Sequence, residues 1–283
     1  MVKELLKKPT RKNVPSPFMG TGQTGGVSHK KIGPSHPHPS PPPSSGRGCN
    51  QEFPDIACAL EAAVAPLTLR RHDLVWLHAE IWERSLLTDL DAAQRDITRN
   101  WFRAGRPAVL RRRHPQEPEH GIVLGVPLSP GRGRLRLALV VSESAIRDVQ
   151  RPPALSEILQ SAPPHWRAPL QRLAVAQGGE WSLRVYGSLL WQHLTGETYL
   201  RADSDVDLLL EVNSAAAWHK AVTRLHQWQL DTGLRADGEV LLRDGRAVAW
   251  RELVQSPARV LVKSATAVEL LPYNTVIGLL APP

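Results

Sequence analysis

Hydrophobic side chains recur at structural periods only from Leu67 onwards. Residues 73–87 carry apolar side chains three to five positions apart with two tryptophans between them, and this spacing predicts an amphipathic helix that Asp73 would cap. Residues 107–113 and 134–141 read as strands, and in the second of these apolar and polar side chains alternate with period two. We therefore expect a small α+β lobe over residues 67–152.

A second set of elements follows Pro152 and Pro153, which mark a boundary between lobes. The longest predicted helix, residues 215–230, has an apolar stripe at Trp218, Val222, Leu225 and Trp228. The other predicted elements are a strand at 183–186, a short helix at 188–194, a strand at 206–210, and a hairpin of strands 240–242 and 247–250. The alternation of strands and helices predicts an α+β or α/β core over residues 153–283.

Composition separates the first 66 residues from the rest of the chain. They hold 11 of the 25 prolines and none of the nine tryptophans, and the stretch 34–48 is nearly all Pro, Ser, His, Gly and Arg. Such a segment has too few apolar side chains to bury a core. We expect residues 1–66 to be a disordered tail.

Charge and cysteine content narrow the class of protein. The formal charge is +8, with +4 in residues 1–66 and +4 in the remaining 217, so the folded part is only mildly basic and gives nucleic-acid binding little support. No apolar run approaches the roughly 20 residues that cross a bilayer, and two cysteines build no disulfide framework. We expect a soluble, cytoplasmic protein without a membrane partner.

The candidate chemistry begins where the strand at 183–186 runs into Gly187 and Ser188 and a helix starts. Glycine permits a tight turn and close approach of a ligand, and the free N–H groups at a helix start attract anions. This turn is a candidate phosphate cradle formed by Gly187 and Ser188.

A pair of acids, Asp205 and Asp207, follows at the start of the next strand. Residues two apart on a strand point to the same face, where two carboxylates about 7 Å apart would repel by roughly 2 kcal/mol at an effective dielectric constant near 20. A divalent cation would reverse that cost, and oxygen ligands favour Mg²⁺. We predict that Asp205 and Asp207 are catalytic residues that bind Mg²⁺.

Three further residues are candidates for the same site. Glu239 lies in an alternating segment that would aim it at the same sheet face, which makes it the preferred third acid, with Asp237 as the close competitor. Arg201 precedes the acids in a loop and Lys263 alternates with apolar neighbours, so both are candidates for binding substrate phosphates.

The order of strand, Gly-Ser, helix and strand with D-x-D resembles the nucleotidyltransferase superfamily typified by DNA polymerase β. Sixteen residues separate Ser188 from Asp205, which is longer than that superfamily's usual spacing and implies an extended loop through residues 195–202. The resemblance implies a polymerase β-like core, a mixed sheet flanked by helices, with two metal-binding aspartates and a third acid on a later strand.

A narrower resemblance covers nearly everything after Leu67. The segments are LRRHDLVWL at 69–77, VPLSPGRGRLRLAL at 126–139, RVYGSLLWQHLTG at 184–196, YLRADSDVDLLL at 199–210 and DGRAVAWREL at 244–253. Together they resemble the phosphoribosyl-dephospho-CoA transferase of malonate decarboxylase. That family implies transfer of the prosthetic group from 2'-(5''-triphosphoribosyl)-3'-dephospho-CoA to a serine of the decarboxylase's acyl carrier protein, with release of pyrophosphate. By position, the resemblance makes Asp205 and Asp207 the catalytic acids, and Gly187 with Ser188 the phosphate-binding turn.

Two alternatives stay open. Another nucleotidyltransferase would adenylylate a different protein or small molecule, and labelled ATP would distinguish it. A non-catalytic RNA-binding module would use the basic run at residues 111–113, and its affinity would fall steeply with salt and ignore loss of Asp205.

Overall fold

A computed structural model describes residues 68–280, except Ala79 and Arg134. The predicted tail, residues 1–66, lies outside the described residues. The described part of the chain belongs to one compact unit that contains two β-sheets. Its mixture of antiparallel strands and flanking helices is an α+β architecture, as predicted.

The first sheet has five strands in the order β4-β3-β2-β1-β5, all antiparallel. The helices α1 (Trp82–Ser85) and α2 (Ala92–Arg103) lie between its first two strands in the chain. Its strands are β1 (Leu74–Leu77), β2 (Ala108–Leu110), β3 (Ile122–Pro127), β4 (Arg136–Val141) and β5 (Ile146–Gln150).

The helix predicted over residues 73–87 is wrong. Residues 74–77 form β1, an interior strand of the first sheet between β2 and β5, and only Trp82–Ser85 are helical. Three of the four β1 side chains are buried, because β1 is paired on both edges and covered on both faces. A strand buried in this way has a continuous apolar run that periodicity does not separate from a short helix. Asp73 consequently caps no helix; its carboxylate accepts from the Arg70 backbone N–H and faces Arg151.

The second sheet has six strands in the order β11-β10-β9-β8-β7-β6. All neighbours are antiparallel except β7 and β8, which are parallel and are joined by the longest helix, α5. The strands are β6 (Trp181–Val185), β7 (Val206–Val212), β8 (Ala236–Leu241), β9 (Ala247–Ala249), β10 (Arg259–Lys263) and β11 (Val268–Pro272). The helices are α3 (Pro164–Val175), α4 (Gly187–Thr195), α5 (Ala215–Thr232), α6 (Trp250–Val254) and α7 (Tyr273–Gly278).

Most sequence predictions for this half are confirmed. The α5 stripe of Trp218, Val222, Leu225 and Trp228 is buried, and β8 pairs with β9 through a turn at Gly245, where φ is +81°. Residues 196–205 form the predicted long connection without regular structure.

The connection between α4 and β7 packs against the first sheet. Trp191 and Tyr199 belong to the hydrophobic core of that sheet, and the Tyr199 hydroxyl donates to the Pro127 carbonyl at 3.0 Å. Glu197 accepts from Arg106, Arg132 and Ser129. The segment that leads into the D-x-D strand is therefore fixed at one end by the first sheet. No helix within the described residues is long and apolar enough to cross a bilayer.

Candidate active site

The Gly187–Ser188 turn and the D-x-D strand meet in the structure. Gly187 begins α4 with φ of +68°, and a Cβ built on it would lie 2.7 Å from Cγ of Asp207. The strand and the turn are also joined by a backbone hydrogen bond, in which the Tyr186 N–H donates to the Asp207 carbonyl at 3.1 Å. Only glycine fits at position 187, for two reasons. A side chain would collide with the Asp207 carboxylate, and the positive φ is strained for any residue with a Cβ.

The two predicted acids share one face at the start of β7. Val206 between them is fully buried, whereas Asp205 and Asp207 are partly exposed. Asp205 precedes the strand and pairs with Arg235 at 3.1 Å between Nη2 and Oδ2. Its other oxygen, Oδ1, is buried and has no hydrogen-bond partner. Such an oxygen is available to accept from a water molecule or to bind a cation.

A third acid, Asp237, lies beside Asp207 on the neighbouring parallel strand, where the two are direct partners in the register. Burial raises the pKa of Asp207 to about 6, and the charges of Asp237 and Asp205 add to this. Asp237 itself is exposed and faces Arg251 at 3.7 Å. Three carboxylates thus face one region, and two of them are paired with arginines.

Glu239 lies two residues further along β8 on the same face and is 5% exposed. It accepts from Arg71 and Lys263 through Oε1, each at 3.1 Å, and contacts His72 Nε2 through Oε2 at 3.0 Å. Burial pushes its pKa up, but the His72 hydrogen bond and the charges of Arg71 and Lys263 hold the pKa at about 2. Glu239 is an ionised carboxylate with both oxygens occupied by basic side chains.

The remaining predicted residues differ in their surroundings. Lys263 lies within the site, where it contacts Glu239. Arg201 is exposed, lies in the connection before β7 and faces Asp203 at 3.6 Å. The structure therefore brings Gly187 and Ser188 together with Asp207. It also brings Glu239 together with Lys263. Arg201 instead forms an ion pair with Asp203.

Sequence reasoning missed the contribution of the segment before β1. Arg71 and His72 reach Glu239 across 168 and 167 residues of chain, and the His72 ring stacks on Tyr186 with centroids 4.1 Å apart. The helix predicted over residues 73–87 does not form, and the sequence analysis gave the residues before it no role in the site. The one local signal was the basic run at residues 70–72 beside an apolar stretch.

Some features of the site fit a divalent cation. Asp205 Oδ1 is an unpartnered buried oxygen, and Asp207 is a carboxylate whose ionised form is disfavoured. Within residues 68–280, apart from the two omitted positions, no group of three or more His, Cys, Asp or Glu side chains has the arrangement of a metal site. Mg²⁺ commonly binds through one or two carboxylates and completes its shell with water and substrate phosphates, and Asp205 and Asp207 fit that kind of site.

Comparison with known proteins agrees with these observations. The model of the phosphoribosyl-dephospho-CoA transferase MdcG N-terminal domain matches residues 70–152, and that of the MdcG C-terminal domain matches residues 154–274. No solved structure is significantly similar to the chain.

Curated relatives named phosphoribosyl-dephospho-CoA transferase are similar over most of their length. The protein from Xanthomonas campestris pv. campestris (strain 8004) is 43% identical over 203 residues, which cover 71% of this chain and 93% of the relative. The protein from Bradyrhizobium diazoefficiens is 37% identical over 209 residues, 74% of this chain and 92% of the relative. The chain therefore belongs to the phosphoribosyl-dephospho-CoA transferase family.

Proposed function

We propose that this protein transfers the phosphoribosyl-dephospho-CoA group from 2'-(5''-triphosphoribosyl)-3'-dephospho-CoA to a serine of the apo acyl carrier protein of malonate decarboxylase. The observation that carries the proposal is the contact of the Gly187–Ser188 turn with Asp207, next to the unpartnered Asp205 oxygen. A phosphate-binding turn against paired acids suits phosphoryl transfer. The transferase name of the relatives supplies the substrate class.

We further propose that the second sheet and its helices are a polymerase β-like nucleotidyltransferase core. Support comes from the connection of β6 through the Gly187 turn and α4 to β7, and from the parallel pairing of β7 with β8. This arrangement brings the D-x-D acids and Asp237 to neighbouring strands.

Mg²⁺ is the proposed cofactor, with Asp205 and Asp207 as its protein ligands. When bound, it would supply positive charge to the reacting phosphoryl group and to the departing pyrophosphate. Arg235, which pairs with Asp205 in the structure, would then be free to meet a substrate phosphate.

The chain's own residues account for the rest of the proposed reaction. The turn at Gly187 and Ser188 would hold the triphosphate, with Arg201 and Lys263 as further phosphate ligands. The carrier serine oxygen forms a bond to the α-phosphorus, the bond from that phosphorus to the bridging oxygen breaks, and pyrophosphate leaves with the bond's electrons. The hydroxyl proton passes to a carboxylate. Asp237 is more accessible for this role than Glu239, whose oxygens are occupied by basic side chains.

The RNA-binding alternative has less support. In the basic run at residues 111–113, Arg111 pairs with Glu117, and Arg113 donates to the Gly121 carbonyl. Two of the three guanidinium groups are therefore already bound within the chain.

A cytoplasmic location remains a prediction from the sequence.

The test is to incubate the purified full chain with the triphosphate donor, Mg²⁺ and apo carrier protein, and to follow intact carrier mass and pyrophosphate. We expect the carrier to gain the phosphoribosyl-dephospho-CoA unit with one pyrophosphate released. Asp205→Ala and Asp207→Ala should each lower the rate at least about 10²-fold, the scale of losing an electrostatic catalytic group. Asp231→Ala, at an exposed position on α5, is the matched control. Near-normal transfer by Asp207→Ala, or labelling of the carrier or another acceptor from ATP instead, would reject the proposal.

A further inference from the structure

Two basic residues from the segment before β1, Arg71 and His72, join Lys263 of β10 around Glu239 of β8. We name these four residues the Glu239 cluster. Every one of the three contacts to Glu239 measures 3.0 or 3.1 Å, and the side chains of Arg71 and His72 are only 15% and 16% exposed. The cluster is thus a largely buried assembly from three separate parts of the chain.

The charges of the Glu239 cluster do not balance. Arg71, His72 and Lys263 are three basic groups, and Glu239 is a single carboxylate. In addition, the Arg71 Nε–H is buried and has no hydrogen-bond acceptor. Leaving a buried charged donor unsatisfied is costly, so the cluster has capacity for an additional anionic acceptor.

The position of the Glu239 cluster relative to the candidate active site indicates which anion. His72 stacks on Tyr186, the residue that immediately precedes the Gly187 turn. Glu239 lies two residues along β8 from Asp237, a spacing of about 7 Å on one sheet face. A polyphosphate bound at the turn would therefore extend within reach of Arg71 and Lys263.

The backbone of His72 is also unusual. Its φ is +72°, a left-handed conformation that few residues other than glycine adopt, and it is held by a hydrogen bond from the His72 N–H to the Leu110 carbonyl at 3.0 Å. Such conformations are strained and occur often at ligand-binding sites. In this conformation the His72 ring reaches Glu239, with Nε2 at 3.0 Å from Oε2.

We propose that Arg71, His72 and Lys263 form a subsite for a diphosphate group of the substrate, with Glu239 as the internal counter-ion that keeps these side chains in position before the substrate binds. The inference rests on the proposed function for the identity of the substrate, which carries diphosphate chemistry both in its triphosphate and in its dephospho-CoA portion. The active site then includes residues of the segment that precedes the first sheet.

Binding of two metal-free probes, inorganic pyrophosphate and 3'-dephospho-CoA, to the full chain tests the subsite by calorimetry without carrier or transfer. We expect Arg71→Ala to weaken binding of one of the probes at least about 10-fold, the scale of losing a charged hydrogen bond. Weaker pyrophosphate binding would assign the subsite to the leaving end of the triphosphate, and weaker dephospho-CoA binding to the internal diphosphate. Arg70→Ala removes the same charge from the adjacent position, outside the cluster, and should stay within about twofold of wild type.

A second variant separates a binding role from a purely structural one. If Glu239 is a counter-ion, Glu239→Gln removes a competitor for the basic side chains and should bind the affected probe as tightly as wild type or more tightly. The proposal is overturned if Arg71→Ala and Arg70→Ala bind both probes alike, or if Arg71→Ala and Glu239→Gln weaken binding equally, as loss of a structural ion pair would. Because no transfer is measured, this result is independent of whether the chain modifies the carrier.

Discussion

Gly187 lies against the carboxylate of Asp207, so that no side chain fits between the start of α4 and the D-x-D strand. The contact joins the candidate phosphate cradle to the candidate metal ligand without an intervening residue. Two local features produce the contact: Gly187 has a positive φ, and the N–H of the preceding Tyr186 donates to the Asp207 carbonyl at 3.1 Å.

Replacing Gly187 by alanine should therefore abolish transfer. The Cβ would displace the Asp207 carboxylate and would also carry the cost of a left-handed conformation, about 1–2 kcal/mol. Gly233, at the end of α5, has the same φ of +68° and no atom within 4 Å of a built Cβ, which makes Gly233→Ala a matched control. By thermal unfolding we expect Gly233→Ala to lose the stability of the left-handed conformation alone and Gly187→Ala to lose at least as much, with loss of carrier modification only in Gly187→Ala. Equal activities would contradict the proposed role of the contact.

Asp207 should destabilise the metal-free protein at neutral pH. Its pKa is raised from 3.8 to about 6, so the folded state favours the protonated form. The stability that comes from this protonation is complete below about pH 4 and is lost as the pH rises through 6. In EDTA, Asp207→Asn should be more stable than wild type by about 1–3 kcal/mol near pH 8, with no difference near pH 4. Urea unfolding at both pH values measures this. A variant less stable than wild type near pH 8 would refute the prediction.

Arg235 should compete with a cation for Asp205. It lies 3.1 Å from Oδ2, and its side chain is 60% exposed, so its influence is screened by solvent. Arg235→Ala should bind Mn²⁺, a probe for Mg²⁺, a few-fold more tightly in the absence of substrate, as followed by electron paramagnetic resonance. Arg224→Ala, at an exposed position on α5, should bind as wild type does. Unchanged or weaker Mn²⁺ binding in Arg235→Ala would argue against the competition.

Glu197 should stabilise the connection that leads to the acids. Burial alone would raise its pKa, but hydrogen bonds from Arg132, Ser129 and Arg106 lower the pKa to about 2. The stability from this shift is present above about pH 4.5 and is lost as the pH falls towards 2. We expect Glu197→Gln to lose about 1–2 kcal/mol at pH 7, with the difference disappearing in acid.

Chemical unfolding over a pH series would check the Glu197 prediction. Glu269→Gln is the control, because Glu269 is half exposed and makes one ion pair with Arg246 at the surface, where such pairs contribute little. A pH-independent difference for Glu197→Gln would show that its charge is not the cause.

Local patterns were sufficient for several elements of the second sheet, but β10 and β11 were not among the predicted strands. The α5 stripe, the short helix after Gly187, the D-x-D strand and the hairpin turn at Gly245 each depend on neighbouring residues, whose periodicity and glycines appear directly in the sequence. They failed for β1, because a strand buried on both faces has no alternation to detect.

The sequence by itself determined that Gly187, Ser188, Asp205 and Asp207 belong to one strand–turn–helix–strand segment, since all four are local in the chain. Only the tertiary structure decided the surroundings of Asp237 and Glu239. The parallel register of β7 and β8 brings Asp237 beside Asp207, while the packing of the segment before β1 encloses Glu239 with Arg71 and His72. Pairings across more than 160 residues depend on how sheets and connections pack, which no local period encodes.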